Sequence, residues 1–304
     1  MWRRAAVAAL WWGWAVGCKG GSGSAPVEVL TPADAGRTAS GGSAVTRDGS
    51  AVTSPAGSPG APANALGMSS ADIETVVNPM HLPPYAGPTG AVEGTVLVRG
   101  PDAPDVPNLD VHACPAALDT YGKLFRAGAR RPDGARAVAD AVVVVTGYEG
   151  AYLPEKSEVH RETIGANCGY PTRTIAMTFG QRLEIANDSP LAFAPFIEGG
   201  FQLSAPVAPP RQHGAPVKIF PPRADHFPLK DELQTFVHED LLVLRQPLHA
   251  VTDRAGHFRI EGVPAGKRRV DTRLMAIPGE AGADVDVRAG ETARVELTLK
   301  YEPR

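Results

Sequence analysis

The chain of 304 residues has no tryptophan after position 14; all four (Trp2, Trp11, Trp12, Trp14) lie at its amino-terminal end. Cysteine is nearly as scarce, with only Cys18, Cys114 and Cys168, and no Cys-x-x-Cys spacing exists to support thioredoxin-like or short-range zinc chemistry. There is no Gly-x-Ser-x-Gly elbow, no His-Glu-x-x-His, no phosphate loop and no dinucleotide fingerprint. The commonest hydrolase, metallopeptidase and nucleotide-dependent activities therefore lack their sequence support. Beyond the first residues no segment approaches the roughly 18 consecutive apolar residues of a membrane span. An excess of one charge is also missing. Without Arg3 and Arg4, 28 basic residues face 33 acidic ones, a net charge near −5. No basic stripe offers a phosphate-binding face, which argues against nucleic acid as a partner.

What is present begins at the amino terminus. Met1-Trp-Arg-Arg4 is positive, Ala5–Val16 is apolar, and Ala15-Val16-Gly17-Cys18 places small residues before a cysteine. The apolar run is too short to span a bilayer, which takes about 20 residues. The pattern resembles a bacterial lipoprotein signal over residues 1–17, with Cys18 as the lipidated first mature residue. The alternative is a plain secretory signal in which Cys18 is incidental. The resemblance implies a protein anchored by acyl chains in the cell envelope, two chains being enough for stable anchoring. Lys19 after the anchor favours the outer membrane, by analogy with enteric sorting.

Residues 18–86 read as a tether. From Lys19 to Gly67 the chain is Gly, Ser, Ala, Pro and Thr, too poor in large apolar residues to offset chain entropy. A short helix is expected over 68–80. From Gly87 onward, Val- and Thr-rich runs bounded by turn residues predict strands at 91–99, 141–147, 174–179, 182–186, 217–220, 232–237, 242–244, 249–252, 257–260, 268–276, 284–287 and 293–299. No regular helical segments alternate with them. The expected fold class is all-β, as one or two antiparallel sandwiches. A helix over 114–125 is a weaker expectation, given Gly122 and the charges.

The sharpest motif is Thr252-Asp253-Arg-Ala-Gly256-His-Phe258, followed by Pro264-Ala-Gly266. Asp253 can bond its own turn backbone and Gly256 can supply positive φ. This motif resembles the carboxypeptidase regulatory-like domain, a transthyretin-like sandwich. Its opening strand is echoed at Gly90-Ala-Val92-Glu-Gly94-Thr-Val96 and its next core strand at 141–147. The resemblance implies a sandwich split into 87–150 and 248–304, and a usually non-catalytic accessory role. The intervening 151–247 is similar to cupredoxin-like proteins in its Gly180 turn, its strand to Asn187, and Thr235-Phe-Val-His238-Glu-Asp-Leu241. In that family two His, a Cys and a Met bind type-1 copper. Aligned without gaps, the corresponding positions here are Phe193, Thr235, His238 and Leu241. Phe and Leu carry no donor atom, so no cofactor is expected and copper is disfavoured. His238 then reads as a half-exposed histidine at a strand end.

Cys114 and Cys168 form an even pair. In an oxidising compartment this reads as a disulfide that fastens the insert to the outer sandwich, with two free thiols as the alternative. His238 and Asp240 are expected on one strand face, with Glu239 on the other. They are the only hint of a hydrolase, and no nucleophile accompanies them. Tyr148, Tyr152, Tyr170, Phe193 and Phe196 are candidates to line an apolar cleft. The proline-rich stretch 205–222 is expected as an exposed extended loop. The function expected is a non-catalytic, membrane-anchored envelope lipoprotein that binds or scaffolds protein or glycan, with loops 188–203 and 205–230 making contact. The alternative is a copper-handling or electron-transfer protein with rearranged ligands.

Overall fold

The computed structural model describes residues 68–200, 206–211 and 215–303. Cys18, its signal and most of the tether lie outside the described residues, as does His213. The elements in chain order are helix α1 (Ser70–Val77), strand β1 (Thr89–Arg99), a 3-10 turn (Pro115–Ala117), helix α2 (Leu118–Tyr121), β2 (Arg136–Ala137), β3 (Val142–Thr146), β4 (Val159–Ile164), β5 (Thr174–Thr178), β6 (Arg182–Asn187), β7 (Pro195–Ile197), β8 (Val217–Ile219), β9 (His226–Asp231), β10 (His238–Leu244), β11 (His249–Val251), β12 (His257–Pro264), β13 (Gly266–Arg273), β14 (Ala281–Val287) and β15 (Thr292–Lys300). The protein is an all-β sandwich fold with two short helices. Among the described residues no helix is long and apolar enough to cross a membrane.

The strands form four sheets. Order β12-β1-β15, with β2 on β1, and order β11-β3-β13-β14 share one hydrophobic cluster. Order β4-β6-β8 and order β5-β10-β9-β7 share the other. Most neighbours are antiparallel, as expected. The pairs β1–β15, β5–β10 and β4–β6 are parallel, so the sheets are mixed. The first cluster takes residues from 92–145 and 248–301. The second draws on 164–243 and also on Val111, Cys114, Ala117 and Tyr121.

Sequence chemistry explains much of this. Val142–Val145 is an unbroken β-branched run, and it lies between β11 and β13 in the interior of its sheet. In the turn before β12, Asp253 Oδ1 accepts from the backbone N–H of Ala255 (2.8 Å) and His257 (2.9 Å). Gly256 there has φ +72°, and a Cβ would lie 2.7 Å from the Val96 carbonyl oxygen, so only glycine fits. Thr252, fully buried, donates through Oγ1 to the Val138 carbonyl and accepts from the Ala141 N–H, both at 2.9 Å.

Several expectations are corrected. Glu232–Val237 is a turn rather than a strand. Asp231 Oδ1 accepts from the N–H of Leu233 (2.9 Å) and Gln234 (2.8 Å), while Oδ2 takes that of Ala194 (2.7 Å). The strands lie on either side, as β9 and β10, and strands β2, β4 and β7 are additional. The stretch 205–222 is not wholly an exposed loop: Ala208 is buried and 217–219 forms β8. Residues 68–86, read as part of the tether, are folded. Helix α1, closed by a capping box between Ser69 and Asp72, packs Ile73, Val76 and Val77 on the second core. Tyr85 N–H donates to the Tyr152 carbonyl at 2.8 Å. The helix expected over 114–125 shrinks to 115–121.

Cys114 and Cys168 are disulfide-bonded, with Cα atoms 6.4 Å apart. The bond ties the long β1–β3 connection to the turn before β5. Ion pairs reinforce the same junction. Arg126 binds Asp140 through Nε (2.8 Å) and Nη2, and donates from Nη2 to the Pro171 carbonyl at 3.0 Å. Asp140 Oδ1 also accepts the Arg173 N–H at 2.8 Å, and Arg173 Nη1 donates to the carbonyls of Lys123 (2.8 Å) and Leu124 (3.1 Å).

Candidate functional site

The positions matching the copper ligands do not converge on a metal site. Phe193 and Leu241 are fully buried members of the second core. Thr235 is exposed in the β9–β10 turn, and His238 opens β10 with its side chain exposed. Two positions lack a donor atom, so these residues do not fit type-1 copper. Among the described residues no group of three or more His, Cys, Asp or Glu side chains could hold a metal ion. Although His238 is exposed, partial desolvation by its neighbours lowers its pKa from the usual histidine value, helped by Lys230 and Arg173.

His238 and Asp240 share a face of β10, as expected, but Asp240 is engaged elsewhere. Its Oδ1 lies 2.7 Å from His226 Nε2 on the neighbouring β9. Glu239 points the other way and is buried. Tyr121 donates to its Oε1 at 2.6 Å, while Oε2 and the Tyr170 hydroxyl have no hydrogen-bond partner among the described residues. Burial drives the Glu239 carboxyl well above its ordinary range, outweighing the Tyr121 hydrogen bond and the pull of Arg173. Burial likewise keeps the Tyr121 and Tyr170 hydroxyls protonated.

A folded-state pKa raised in this way stabilises below the unfolded value of 4.5 and costs stability as pH rises through the folded one. Glu239→Gln is therefore expected to be at least as stable as the parent at pH 7, with the gain vanishing below pH 4.5. Glu239→Leu strands the Tyr121 hydroxyl and is expected to be about 1–3 kcal/mol less stable than the Gln variant. Urea unfolding across pH checks both; a Gln variant markedly less stable than the parent at pH 7 would contradict the buried neutral acid.

The five aromatics do not form one cleft. Tyr170 and Phe193 are in the second core, whereas Tyr148 and Tyr152 line a separate hollow with Val77 and Met80. Among the described residues, parts of the expected contact loops are woven into sheets as β7, β8 and β9. At the junction of the sandwiches, a cavity of about 310 Å³ is lined by Glu155, His160, Glu162, Gln181 and His249. Thr178 Oγ1 bridges Glu155 Oε2 (2.7 Å) and His249 Nε2 (3.3 Å), and His160 Nε2 is 2.9 Å from Glu162 Oε1. Burial lowers His249 to about 4. The unfolded chain then binds the extra proton between about pH 4 and 6.5, so stability is lost as pH falls through that window. The loss is expected to reach at most about 3 kcal/mol. His249→Gln should flatten the window in acid titrations followed by circular dichroism; an unchanged profile would refute the assignment.

A cleft of about 670 Å³ lies between the β1–β3 connection and the β11–β12 turn. Its lining includes Lys123, Arg126, Arg130, Arg136 and Arg254, with only Asp102 and Asp119 as carboxylates. Pairing of β2 with β1 places Arg136 opposite Val98. Asp102 binds both Arg136 and Arg130, the latter at 2.8 Å, and Asp119 binds Arg254. The side chains of Arg126 and Arg136 are only 9% and 6% exposed. Each keeps one buried nitrogen without an acceptor among the described residues: Nη1 of Arg126 and Nε of Arg136. The sequence carries a signal for this site. Lys123, Arg126, Arg130, Arg131 and Arg136 fall within 14 positions that contain a single acid, Asp133. The balanced overall charge concealed it.

No known protein family matches the chain, and no curated protein matches it. Among solved structures it is similar to two amicyanin variants. One, in the copper(I) state, is 16% identical and covers 33% of this chain and 97% of its own, with a TM-score of 0.24. The other, in the reduced state, is 13% identical and covers 33% of this chain and 98% of its own, at the same score. At that score the likeness decides nothing about this chain.

Proposed function

We propose that this protein is a non-catalytic envelope lipoprotein, held at a membrane surface by acyl chains on Cys18, that works as a binding module for glycan or protein. Its folded part is read as a regulatory-like sandwich (87–150 and 248–304) carrying a cupredoxin-like insert (151–247) that lacks the copper ligands. The observation that carries the binding reading is the cleft of about 670 Å³. It is cationic, and its wall is built from the β1–β3 connection, with Asp119 on α2 and Arg136 on β2, and from the β11–β12 turn. Such concave sites with a few convergent charged groups are where small-ligand recognition concentrates. The copper-handling alternative has no donor atom at positions 193 and 241.

Two experiments in the native host test this reading. Cys18→Ala should move the protein from the membrane to the soluble fraction, and retention in the membrane would refute the anchor. A photoreactive residue at Ala127, in the cleft, should crosslink an envelope component in intact cells, whereas the same residue at Asp286 on β14 should not. Equal crosslinking at both positions, or none at either, would contradict a binding role centred on the cleft.

A further inference from the structure

We propose that the cleft takes the oxyanion of an acidic sugar residue, a hexuronate within a glycan, held between Arg130, Arg136 and Arg254. The inference rests on the binding reading above and names the chemistry of its ligand. Five cationic side chains line the cleft against two carboxylates. Counting Asp105 and Asp140, which pair with Lys123 and Arg126 from outside the lining, one positive charge remains in excess. The excess falls around Asp102, whose single carboxylate serves two guanidiniums. Asp102 itself is 81% exposed, so water competes for its carboxylate, and Arg130, about half exposed, can take a second anion beside the fixed Arg136.

The donors also outnumber the acceptors. Arg126 and Arg136 are buried, held by Asp140 and by the Gly100 and Pro101 carbonyls, and each retains an unpartnered nitrogen. A planar guanidinium fork matches a carboxylate geometrically, and such charge-assisted pairs are about twice as strong as neutral ones. The fixed positions of these groups reduce the ordering cost of binding.

Size and polarity select the rest of the ligand. The volume lies in the roughly 300–1,000 Å³ range of small-ligand sites, so a bare inorganic anion would leave most of it unfilled. The lining is about half apolar, with Ala103, Phe125, Ala127 and Ala139 beside the charged groups, which suits a sugar ring that has both C–H faces and hydroxyls. A hydroxyl-rich ring bearing one carboxylate fits both constraints. The cleft is open to solvent on one side, which lets a longer chain continue outward.

Isothermal titration of the detergent-solubilised full chain with a short oligoglucuronate tests this. Glucose oligomers, inorganic phosphate and a glutamate-rich peptide serve as comparison ligands. Oligoglucuronate should bind, weaken as salt rises, and weaken about tenfold in Arg130→Gln and again in Arg254→Gln. Both side chains are about half exposed, so these variants should keep the parent melting temperature, which is checked in parallel. Equal binding of neutral glucan, phosphate binding as tight as oligoglucuronate, or affinity unchanged in both variants would overturn the proposal. Tighter binding of the acidic peptide would overturn it in favour of a protein partner. If oligoglucuronate fails to bind while Ala127 still crosslinks an envelope component, the ligand class is wrong and the binding reading stands; if both fail, both fall.

Discussion

Replacing Cys114 and Cys168 together with alanine is expected to cost about 4 kcal/mol of unfolding free energy and to lower Tm by roughly 10 °C. The two residues are 54 positions apart, so the bond removes considerable chain entropy from the unfolded state. Alanine is the right replacement because both side chains are buried, and serine would add an unpaired hydroxyl there. The disulfide also holds one end of the connection that builds the cleft. The double variant should therefore lose ligand affinity along with stability, even at temperatures where it remains folded. Thermal melts of the oxidised parent and the variant measure the first effect. A loss below about 1 kcal/mol would mean that the other links between the two sandwiches, the Arg126–Asp140–Arg173 junction among them, hold without the bond.

Position 193 should be equally sensitive. Phe193 is fully buried, and its backbone exchanges hydrogen bonds with Ala208 at 3.0 and 2.7 Å. Phe193→Ala is expected to cost about 3–5 kcal/mol through lost transfer energy and a cavity. Phe193→His introduces the residue that cupredoxin-like proteins carry at the aligned position and should be as damaging, because an imidazole would be buried among apolar neighbours without a partner. Added Cu(II) should not rescue it, since Leu241 offers no donor and Thr235 is exposed in a turn. Stabilisation of the histidine variant by copper, seen as a concentration-dependent rise in Tm, would show that a metal site survives.

The sequence made the fold class legible wherever local chemistry agreed with the final environment. The valine run at 142–145, the alternating pattern of β15 and the Asp253–Gly256 turn were all readable for that reason. Strand β9 was hidden because Pro228 and His226 interrupt its apolar pattern, and β4 because Val159–Ile164 is mostly polar. The segment 232–237 looked like a strand by alternation. The Asp231 carboxylate instead captures the following N–H groups and turns the chain. That is a side-chain-to-backbone competition which hydrophobic pattern alone does not register.

The candidate site was less legible. Of the four positions aligned with cupredoxin ligands, Phe193 and Leu241 lie in the core while Thr235 and His238 are exposed, so they do not mark one site. The arginine cleft needs three separated stretches, around Asp102, 119–139 and Arg254, brought together by the fold. Its sequence trace, five basic residues within 123–136, was masked by a near-neutral average. Glu239 was read only as the residue facing away from His238. Its significance as a buried acid depends on Tyr121, which is 118 positions away in sequence.

The most direct test of the account is hydrogen–deuterium exchange on the full chain in detergent, with and without saturating oligoglucuronate. Slowed exchange confined to peptides covering residues 100–139 and the turn at Arg254 is the expected result. Slowed exchange in the β9–β10 turn near Thr235 and His238 instead, or no change at the cleft under saturating ligand, would contradict it.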